Sequence, residues 1–228
     1  MRRGTLLFDL DGTLIDTIPD LQAALNEMLR ARGRRELMPE EVRQMVGDGA
    51  VALVERALKA TGEIADFEKA HQHFLQSYQA EPTRLSRLYP GVAETLASLR
   101  ASGARLAICT NKPQAATLAI LHAFEIARSF DVVVGGDAVS FRKPDPRHLF
   151  AALDPLRASP VDAVMIGDNE NDYAAACAAG IPVILTRYGY LRVPPDTLAP
   201  EAWLDQFAQL PHVLSDLNFT SGEEEVRD

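Results

Sequence analysis

The sequence predicts an α/β protein with a doubly wound, Rossmann-like parallel sheet and a small α-helical cap inserted into it. Three observations support this fold class. The apolar run at residues 5–8 ends in Asp-x-Asp-Gly, as a buried strand entering a turn does. Between residues 16 and 84, apolar residues recur only at helical spacing. From residue 92 onward, helical and strand-like segments alternate, which is typical of a parallel sheet with helices on both faces.

The first strand leads into a block that we expect to be entirely helical. Apolar residues three or four positions apart predict helices near 18–29, 51–58 and 67–78, and 40–46 has a similar pattern. No strand-like alternation interrupts this block. It therefore forms the predicted cap, for which we expect the bounds 16–86.

The second half of the chain supplies most of the predicted sheet. Because the first strand has no strand next to it in sequence, we expect both ends of the chain, 1–15 and 87–228, to build one core domain. The predicted strands are 105–109, 131–134, 163–166 and 182–185, and the predicted helices are 92–100, 114–124, 146–153 and 172–179.

Charge and cysteine content exclude several classes of protein. The 228 residues contain 23 Lys and Arg against 32 Asp and Glu, a net charge of −9, which argues against a nucleic-acid partner. The longest uncharged stretch, 173–186, is shorter than the roughly 20 residues of a membrane span, so no membrane partner is expected. Two cysteines, Cys109 and Cys177, indicate thiols in a reducing compartment. The early Asp9 and Asp11 fit no signal peptide, and we expect a cytoplasmic protein.

Polar side chains follow the predicted strands where a parallel sheet binds its ligands, beyond the carboxyl ends. Asp9 and Asp11 follow the first strand, Thr110 follows 105–109, and Lys143 and Asp168 follow the next two strands. Carboxylates, a hydroxyl and an ammonium in one crevice favour phosphoryl-transfer chemistry with a divalent metal.

The residue types suggest a role for each position. A carboxylate can accept a phosphoryl group, so Asp9 is the candidate nucleophile, and Asp11 is the candidate general acid and base. Gly12 permits the turn that lets both carboxylates face the same site. The Thr110 hydroxyl and the Lys143 ammonium would bind the phosphoryl oxygens.

A cation is expected among the clustered carboxylates, because they would otherwise repel one another. Mg²⁺ prefers oxygen ligands in an octahedral arrangement. We expect it to be bound by the Asp9 carboxylate, the backbone carbonyl of Asp11 and the Asp168 carboxylate. Asp172, four residues after Asp168, is expected to support the site from the second shell, as a partner of Lys143 or of a metal-bound water.

Four segments, taken in order, resemble the motifs of the haloacid dehalogenase superfamily of phosphohydrolases. They read Phe-Asp-Leu-Asp-Gly-Thr-Leu at 8–14, Thr-Asn-Lys at 110–112, Lys-Pro-Asp-Pro at 143–146 and Gly-Asp-Asn-Glu-Asn-Asp at 167–172. The resemblance implies a phosphorylated nucleophile at Asp9 and an acid/base at Asp11. It also implies phosphoryl binding by Thr110 and Lys143, Mg²⁺ binding at Asp168, and a small α-helical cap after the first motif.

Two further segments are similar to the phosphoglycolate phosphatase family within that superfamily. These are Val-Gly-Asp-Gly-Ala at 46–50, followed by Val-Glu-Arg-Ala-Leu at 54–58, and Arg-Tyr-Gly-Tyr at 187–190. The resemblance implies hydrolysis of a small phosphorylated metabolite, with 2-phosphoglycolate first, through an aspartyl phosphate. The candidate substrate-binding residues are Gly12, Thr13, Asn111, Gly47, Gly49 and Arg56.

The sequence leaves several alternatives open. Four cations are candidates for binding a substrate carboxylate, and the sequence does not say which of them face the pocket: Arg43, Arg56, Lys112 and Arg187. A sugar-phosphate phosphatase, a pyrophosphatase and a β-phosphoglucomutase-like enzyme remain possible within the class. A phospho-receiver switch, in which the acyl phosphate persists, is the alternative that is not an enzyme. The protein is expected to be a monomer or a homodimer.

Overall fold

A six-stranded parallel sheet forms the centre of the computed structural model, which describes residues 4–219. The ends of the predicted core segments, 1–3 and 220–228, lie outside this described part. The strands are β1 (Thr5–Phe8), β2 (Ile15–Asp16), β3 (Arg87–Leu88), β4 (Arg105–Cys109), β5 (Val132–Val134), β6 (Ala163–Gly167), β7 (Val183–Thr186) and β8 (Ala202–Leu204). Their order in the large sheet is β5-β4-β1-β6-β7-β8, which confirms the predicted fold class.

The first strand lies in the middle of the sheet. It pairs in parallel with β4, where Thr5 is opposite Arg105, and with β6, where Phe8 is opposite Ile166. Its side chains alternate between two apolar clusters: Leu6 and Phe8 belong to one cluster and Leu7 to the other. Because both faces of β1 are buried, the three residues after Thr5 are all large and apolar, and Asp9 comes directly after the strand ends.

Helices cover both faces of this sheet. The core helices are α5 (Val92–Ala101), α6 (Gln114–Ala123), α7 (Arg147–Leu153), α8 (Glu170–Ala179) and α9 (Leu210–Asp216). Side chains of α5, α6 and α9 join the cluster that contains Phe8, and side chains of α7 and α8 join the cluster that contains Leu7. The central strands β1, β4, β6 and β7 are therefore almost completely buried, whereas the edge strands β5 and β8 are partly exposed.

Four helices lie between β2 and β3. They are α1 (Ile18–Arg30), α2 (Pro39–Arg43), α3 (Ala50–Thr61) and α4 (Phe67–Ala80). α1 packs against α4, and the apolar sides of these helices continue the Phe8 cluster. The buried Asp20 at the start of α1 accepts hydrogen bonds from the backbone N–H groups of Leu85 and Ser86, which ties the insert's end to its beginning.

Three strands and one helix were not predicted. β2 and β3 pair as an antiparallel ribbon of two residues each, with Ile15 opposite Leu88, at the base of the helical insert. A two-residue strand shows no readable alternation, since alternation needs several positions. β8 adds only three residues to the sheet edge, and α9 extends for only two turns after it.

Candidate active site

Four loops at the carboxyl ends of adjacent strands form the candidate active site. Asp9 follows β1, Thr110 follows β4, Asp168 follows β6, and Lys143 lies in the loop between β5 and α7. All four side chains are buried. Because β1 is central, with β4 and β6 on either side, these sequence-distant residues meet at one edge of the sheet.

Lys143 binds the carboxylates on both sides of it. Its Nζ donates to Asp9 Oδ1 at 2.9 Å, to Asp172 Oδ1 at 2.6 Å and to the carbonyl oxygen of Cys109 at 2.6 Å. Burial alone would lower the pKa of Lys143, but the Asp172 and Asp9 carboxylates reverse this and hold its pKa well above the usual value. The lysine is therefore a permanent cation, fixed by three acceptors.

The loop that carries Lys143 is fixed by a buried histidine. The backbone N–H of Lys143 donates to His148 Nδ1 at 3.2 Å. Burial, together with the nearby Lys143 ammonium, lowers the pKa of His148 to about 4. His148 is therefore neutral near pH 7, and its unprotonated Nδ1 accepts this hydrogen bond.

Three carboxylates form a cluster suited to a divalent cation. Oxygens of Asp9, Asp168 and Asp172 lie within 4.8 Å of one another, and all three residues are buried. Burial raises the pKa of Asp168, and the neighbouring Asp172 and Asp9 carboxylates raise it further. A hard cation would offset this repulsion, and carboxylate oxygens are the ligands that such a cation prefers.

Asp172 has both carboxylate oxygens engaged by protein groups. Oδ1 accepts from Lys143, and Oδ2 accepts from the backbone N–H groups of Asp168 at 3.0 Å and Asn169 at 3.3 Å. These contacts belong to the start of α8, where Asn169 and Asp172 form a capping box. Asp172 is thus placed to hold Lys143 and the Asp168 loop, which is the position expected of a supporting residue.

Gly12 and Thr13 contact Asp168 and do not line the cleft between the strand ends and the helical insert. Thr13 is fully buried, and its Oγ1 donates to Asp168 Oδ1 at 3.3 Å. The backbone N–H of Tyr190 donates to Asp168 Oδ2 at 2.6 Å. Gly12 has φ +86°, and a Cβ at this position would overlap Asp168 Oδ2. In this structure the two candidate substrate-binding residues therefore orient a candidate metal ligand.

We expect Gly12→Ala to lower both the affinity for a divalent cation and the stability of the protein. The positive φ should cost about 1–3 kcal/mol in free energy of unfolding, and the new methyl group must displace Asp168. Gly33→Ala is the matched control, because Gly33 also has a positive φ, +65°, but has no atom near its Cβ position. Urea unfolding should show a loss for both variants, whereas a metal titration should show weaker binding for Gly12→Ala alone. Equal metal affinities would contradict the role given to Gly12.

The Asp11 carboxylate pairs with Lys112, one of the four cations that the sequence offers for binding a substrate carboxylate. Lys112 Nζ lies 3.0 Å from Asp11 Oδ1 and 3.1 Å from Oδ2. The Lys112 side chain is 3% exposed, and its ammonium lies 4.7 Å from the ring centroid of Tyr78 on α4. Lys112 is the last residue of the Thr-Asn-Lys segment. The sequence motif therefore identifies Lys112, but it does not predict that Lys112 pairs with Asp11.

A cleft of about 380 Å³ opens between the strand ends and the helical insert. The strand ends contribute Asp9, Asp11, Thr110, Asn111 and Lys112 to its lining. The insert contributes the backbone at Gly47 and Gly49 and apolar side chains of α3 and α4. The Asn111 amide donates to the carbonyl oxygen of Gly47 at 2.9 Å, which joins the two sides of the cleft directly.

A charged network at Asp48 also joins the insert to the core. Asp48 is paired with Arg192 and with Arg56, the latter at 2.5 Å, and accepts from the Asn171 amide at 2.7 Å. Although burial opposes it, the hydrogen bonds from these three residues lower the pKa of Asp48 to about 2. Its negative charge is thus balanced. Arg56 also donates to the carbonyl oxygen of Met45. Although it is a candidate substrate-binding residue in the sequence, it does not line the cleft.

The fold and this acidic, lysine-bridged site define a hydrolase of the haloacid dehalogenase type. A family model described as "haloacid dehalogenase-like hydrolase" matches residues 6–186, and the chain belongs to this family. Among curated proteins it is similar to the phosphoglycolate phosphatase of Caulobacter vibrioides, with 41% identity over 91% of this chain and 89% of that protein. The phosphoglycolate phosphatase of Rhodospirillum rubrum is 42% identical over 90% of this chain and 88% of that protein.

Solved structures show the same similarity. A protein described as a predicted phosphoglycolate phosphatase from Haemophilus somnus has 32% identity and a TM-score of 0.90, covering 93% of this chain and 98% of that chain. CbbY from Rhodobacter sphaeroides, in complex with phosphate, has 29% identity and a TM-score of 0.79, covering 92% and 96%. Among residues 4–219, no helix has both the length and the apolar character needed to cross a membrane.

Proposed function

We propose that this protein is a Mg²⁺-dependent phosphatase that hydrolyses 2-phosphoglycolate, a small phosphomonoester, to glycolate and phosphate. The observation that carries the proposal is the position of Asp9, which lines a small cleft and accepts a hydrogen bond from Lys143 Nζ at 2.9 Å. The relatives named phosphoglycolate phosphatase support the choice of substrate. The balanced charge of Asp48 supports it too, because an anionic substrate meets no uncompensated carboxylate there.

The first chemical step transfers the phosphoryl group to Asp9. An oxygen of the Asp9 carboxylate bonds to phosphorus while the bond from phosphorus to the ester oxygen breaks. Asp11 gives its proton to the departing oxygen, so glycolate leaves as a neutral alcohol at that end. Lys143 keeps the Asp9 carboxylate oriented, and it and the Thr110 hydroxyl stabilise the charge on the phosphoryl oxygens.

The second step returns Asp9 to its starting form. Asp11, now a carboxylate, takes a proton from water as the water oxygen bonds to phosphorus. The bond between phosphorus and Asp9 breaks, and inorganic phosphate is released. Bound Mg²⁺, held by the Asp9 and Asp168 carboxylates and the backbone carbonyl of Asp11, would supply positive charge that lets an anionic phosphate approach an anionic nucleophile.

The helical insert, with the proposed bounds 16–86, acts as a cap in this scheme. Asn111 and Asn171 of the core both donate to the carbonyl oxygen of Gly47, so the insert is held over the strand ends. Opening of the cap would admit the substrate, and closure would exclude water and large esters. We place the enzyme in the cytoplasm as a monomer or homodimer. The free thiols of Cys109 and Cys177 suit a reducing compartment.

A panel of phosphate esters, assayed with Mg²⁺ and with a chelator, tests the proposal. Activity should require the cation, and 2-phosphoglycolate should exceed sugar phosphates, pyrophosphate and other small esters by at least about tenfold in kcat/KM, or ~1.4 kcal/mol. Equal rates across the panel would remove the substrate assignment but leave the phosphatase. A Mg²⁺-dependent conversion of one sugar phosphate to another would indicate a mutase. An acyl phosphate that persists for minutes, with no turnover, would indicate a phospho-receiver switch.

A further inference from the structure

Lys112 lies where a ligand in the cleft would meet a buried positive charge. Among the four cations that the sequence offers for a substrate carboxylate, Lys112 lines the cleft, whereas Arg43, Arg56 and Arg187 do not. Arg43 donates to the carbonyl oxygen of Gly189, Arg56 is paired with Asp48, and the half-exposed Arg187 with Asp205. The structure thus separates one candidate from the other three.

Tyr78, whose ring lies beside the Lys112 ammonium, provides a second observation at the same place. It lies on α4, is 4% exposed and lines the cleft. Its hydroxyl is buried beside the Lys112 ammonium, and its O–H has no acceptor within residues 4–219. Burial raises the pKa of Tyr78 to about 12, so the hydroxyl keeps its proton and can donate it in a hydrogen bond. A buried donor without a partner is costly, and a ligand oxygen would satisfy it.

We propose that Lys112 and Tyr78 bind the carboxylate of the substrate and so determine specificity for phosphorylated hydroxy acids. This inference rests on the proposed phosphatase function and goes beyond it, since it assigns the leaving-group end of the substrate to two named residues. An ammonium has three N–H donors, and two of them suffice for the Asp11 oxygens. The third can bind a carboxylate oxygen beside the Tyr78 hydroxyl.

The short distance between Lys112 and Asp11 suits a two-carbon substrate, whose carboxylate and ester oxygen are also close together. In 2-phosphoglycolate, one methylene group separates the carboxylate from the ester oxygen that must be protonated. Lys112 already holds Asp11, the proposed proton donor, at 3.0 Å. A lysine that binds both Asp11 and the substrate carboxylate would bring the ester oxygen next to the acid, as effective catalysis requires.

The test compares 2-phosphoglycolate with 2-hydroxyethyl phosphate, an ester with the same two-carbon chain that carries a neutral CH2OH group in place of the carboxylate. The measured quantity is the ratio of their kcat/KM values. Lys112→Met should lower this ratio by about ten- to a hundredfold, because a hydrogen-bonded charge is lost for one substrate only. If Lys112 only positioned Asp11, both substrates would lose activity equally and the ratio would not change.

A milder variant covers the case in which Lys112→Met does not fold. Tyr78→Phe keeps the ring and removes only the hydroxyl, and it should lower the ratio by about three- to tenfold. Lys69→Met is the control for Lys112→Met, since it makes the same substitution at a lysine of α4 whose side chain is 78% exposed. His71 also lines the cleft from α4, and its Nε2 has no partner among the described residues. A ratio that falls in His71→Asn but not in Tyr78→Phe or Lys112→Met would overturn the assignment.

The two proposals can fail separately. If the wild-type protein hydrolyses no phosphate ester, the phosphatase function is wrong. If the wild type is active but the ratio is the same in Lys112→Met, Tyr78→Phe and the Lys69→Met control, only the carboxylate site is wrong. A wild-type ratio near one would have the same consequence, because a site built for a carboxylate must discriminate against the neutral ester.

Discussion

Asp9→Asn is expected to lower kcat by at least about 10⁴-fold, because an amide lacks the anionic oxygen that attacks phosphorus. The substitution keeps the shape of the side chain. The amide oxygen can still accept a hydrogen bond from Lys143, which also retains Asp172 and the Cys109 carbonyl oxygen as acceptors. The loss therefore reports on chemistry and not on folding.

The measurement is steady-state turnover of 2-phosphoglycolate with saturating Mg²⁺, alongside thermal unfolding of both proteins. Rapid acid quenching of the wild type during turnover should trap phosphate covalently on the protein, and Asp9→Asn should trap none. Asp205→Asn is the control, since the Asp205 side chain is 72% exposed and lies away from the cleft. If Asp9→Asn retained most of the turnover, no aspartyl phosphate could form at Asp9, and the mechanism would be wrong.

The parts of the fold that the sequence predicted are those with long, regular patterns. β1 was readable because it is buried on both faces and ends abruptly at Asp9. The alternation of strands and helices after residue 92 then specified a parallel sheet, and parallel sheets place their ligand sites at one edge. The β2–β3 ribbon and β8 depend on pairing between distant segments, and their two or three residues are too short for a pattern.

In the candidate site, too, some features could be predicted from the sequence and others could not. The positions of Asp9, Thr110 and Asp168 directly after strands could be predicted, because strand ends can be located from sequence, whereas Lys143 lies further along, in the loop between β5 and α7. The partners of charged residues could not. Asp48 is balanced by Arg192, which is 144 positions away in the chain, and no local pattern specifies that pair. The same holds for the pairing between Asp11 and Lys112, which depends on how β1 and β4 lie side by side.

Residues near a motif are the hardest to assign by sequence alone. Gly12 and Thr13 directly follow Asp11, and both are candidate substrate-binding residues in the sequence. In the structure the chain turns at Gly12 and sends both residues toward Asp168. A turn of this kind separates neighbours in the chain into two layers, one that lines the cleft and one that supports it. A single sequence gives the turn but not the direction in which each side chain leaves it.

Lys143→Met is expected to destabilise the protein by about 3–5 kcal/mol and to reduce turnover severely. The Lys143 side chain is 2% exposed and is the cation between Asp9 and Asp172, so its removal leaves buried carboxylates without their partner. Methionine keeps most of the volume, which limits any loss from packing. The remaining cluster of Asp9, Asp168 and Asp172 would then carry more uncompensated negative charge than in the wild type.

This charge imbalance also predicts a second measurable effect, a larger stabilisation of the variant by Mg²⁺. A divalent cation should bind the more negative cluster more strongly, so Mg²⁺ should raise the unfolding free energy of Lys143→Met by more than it raises that of the wild type. Chemical denaturation with Mg²⁺ and with a chelator measures both differences, and Lys59→Met on the exposed side of α3 serves as the control. A variant as stable as the wild type without Mg²⁺ would mean that Lys143 does not balance the buried carboxylates. In that case the charge arrangement proposed for the phosphoryl-transfer step could not hold.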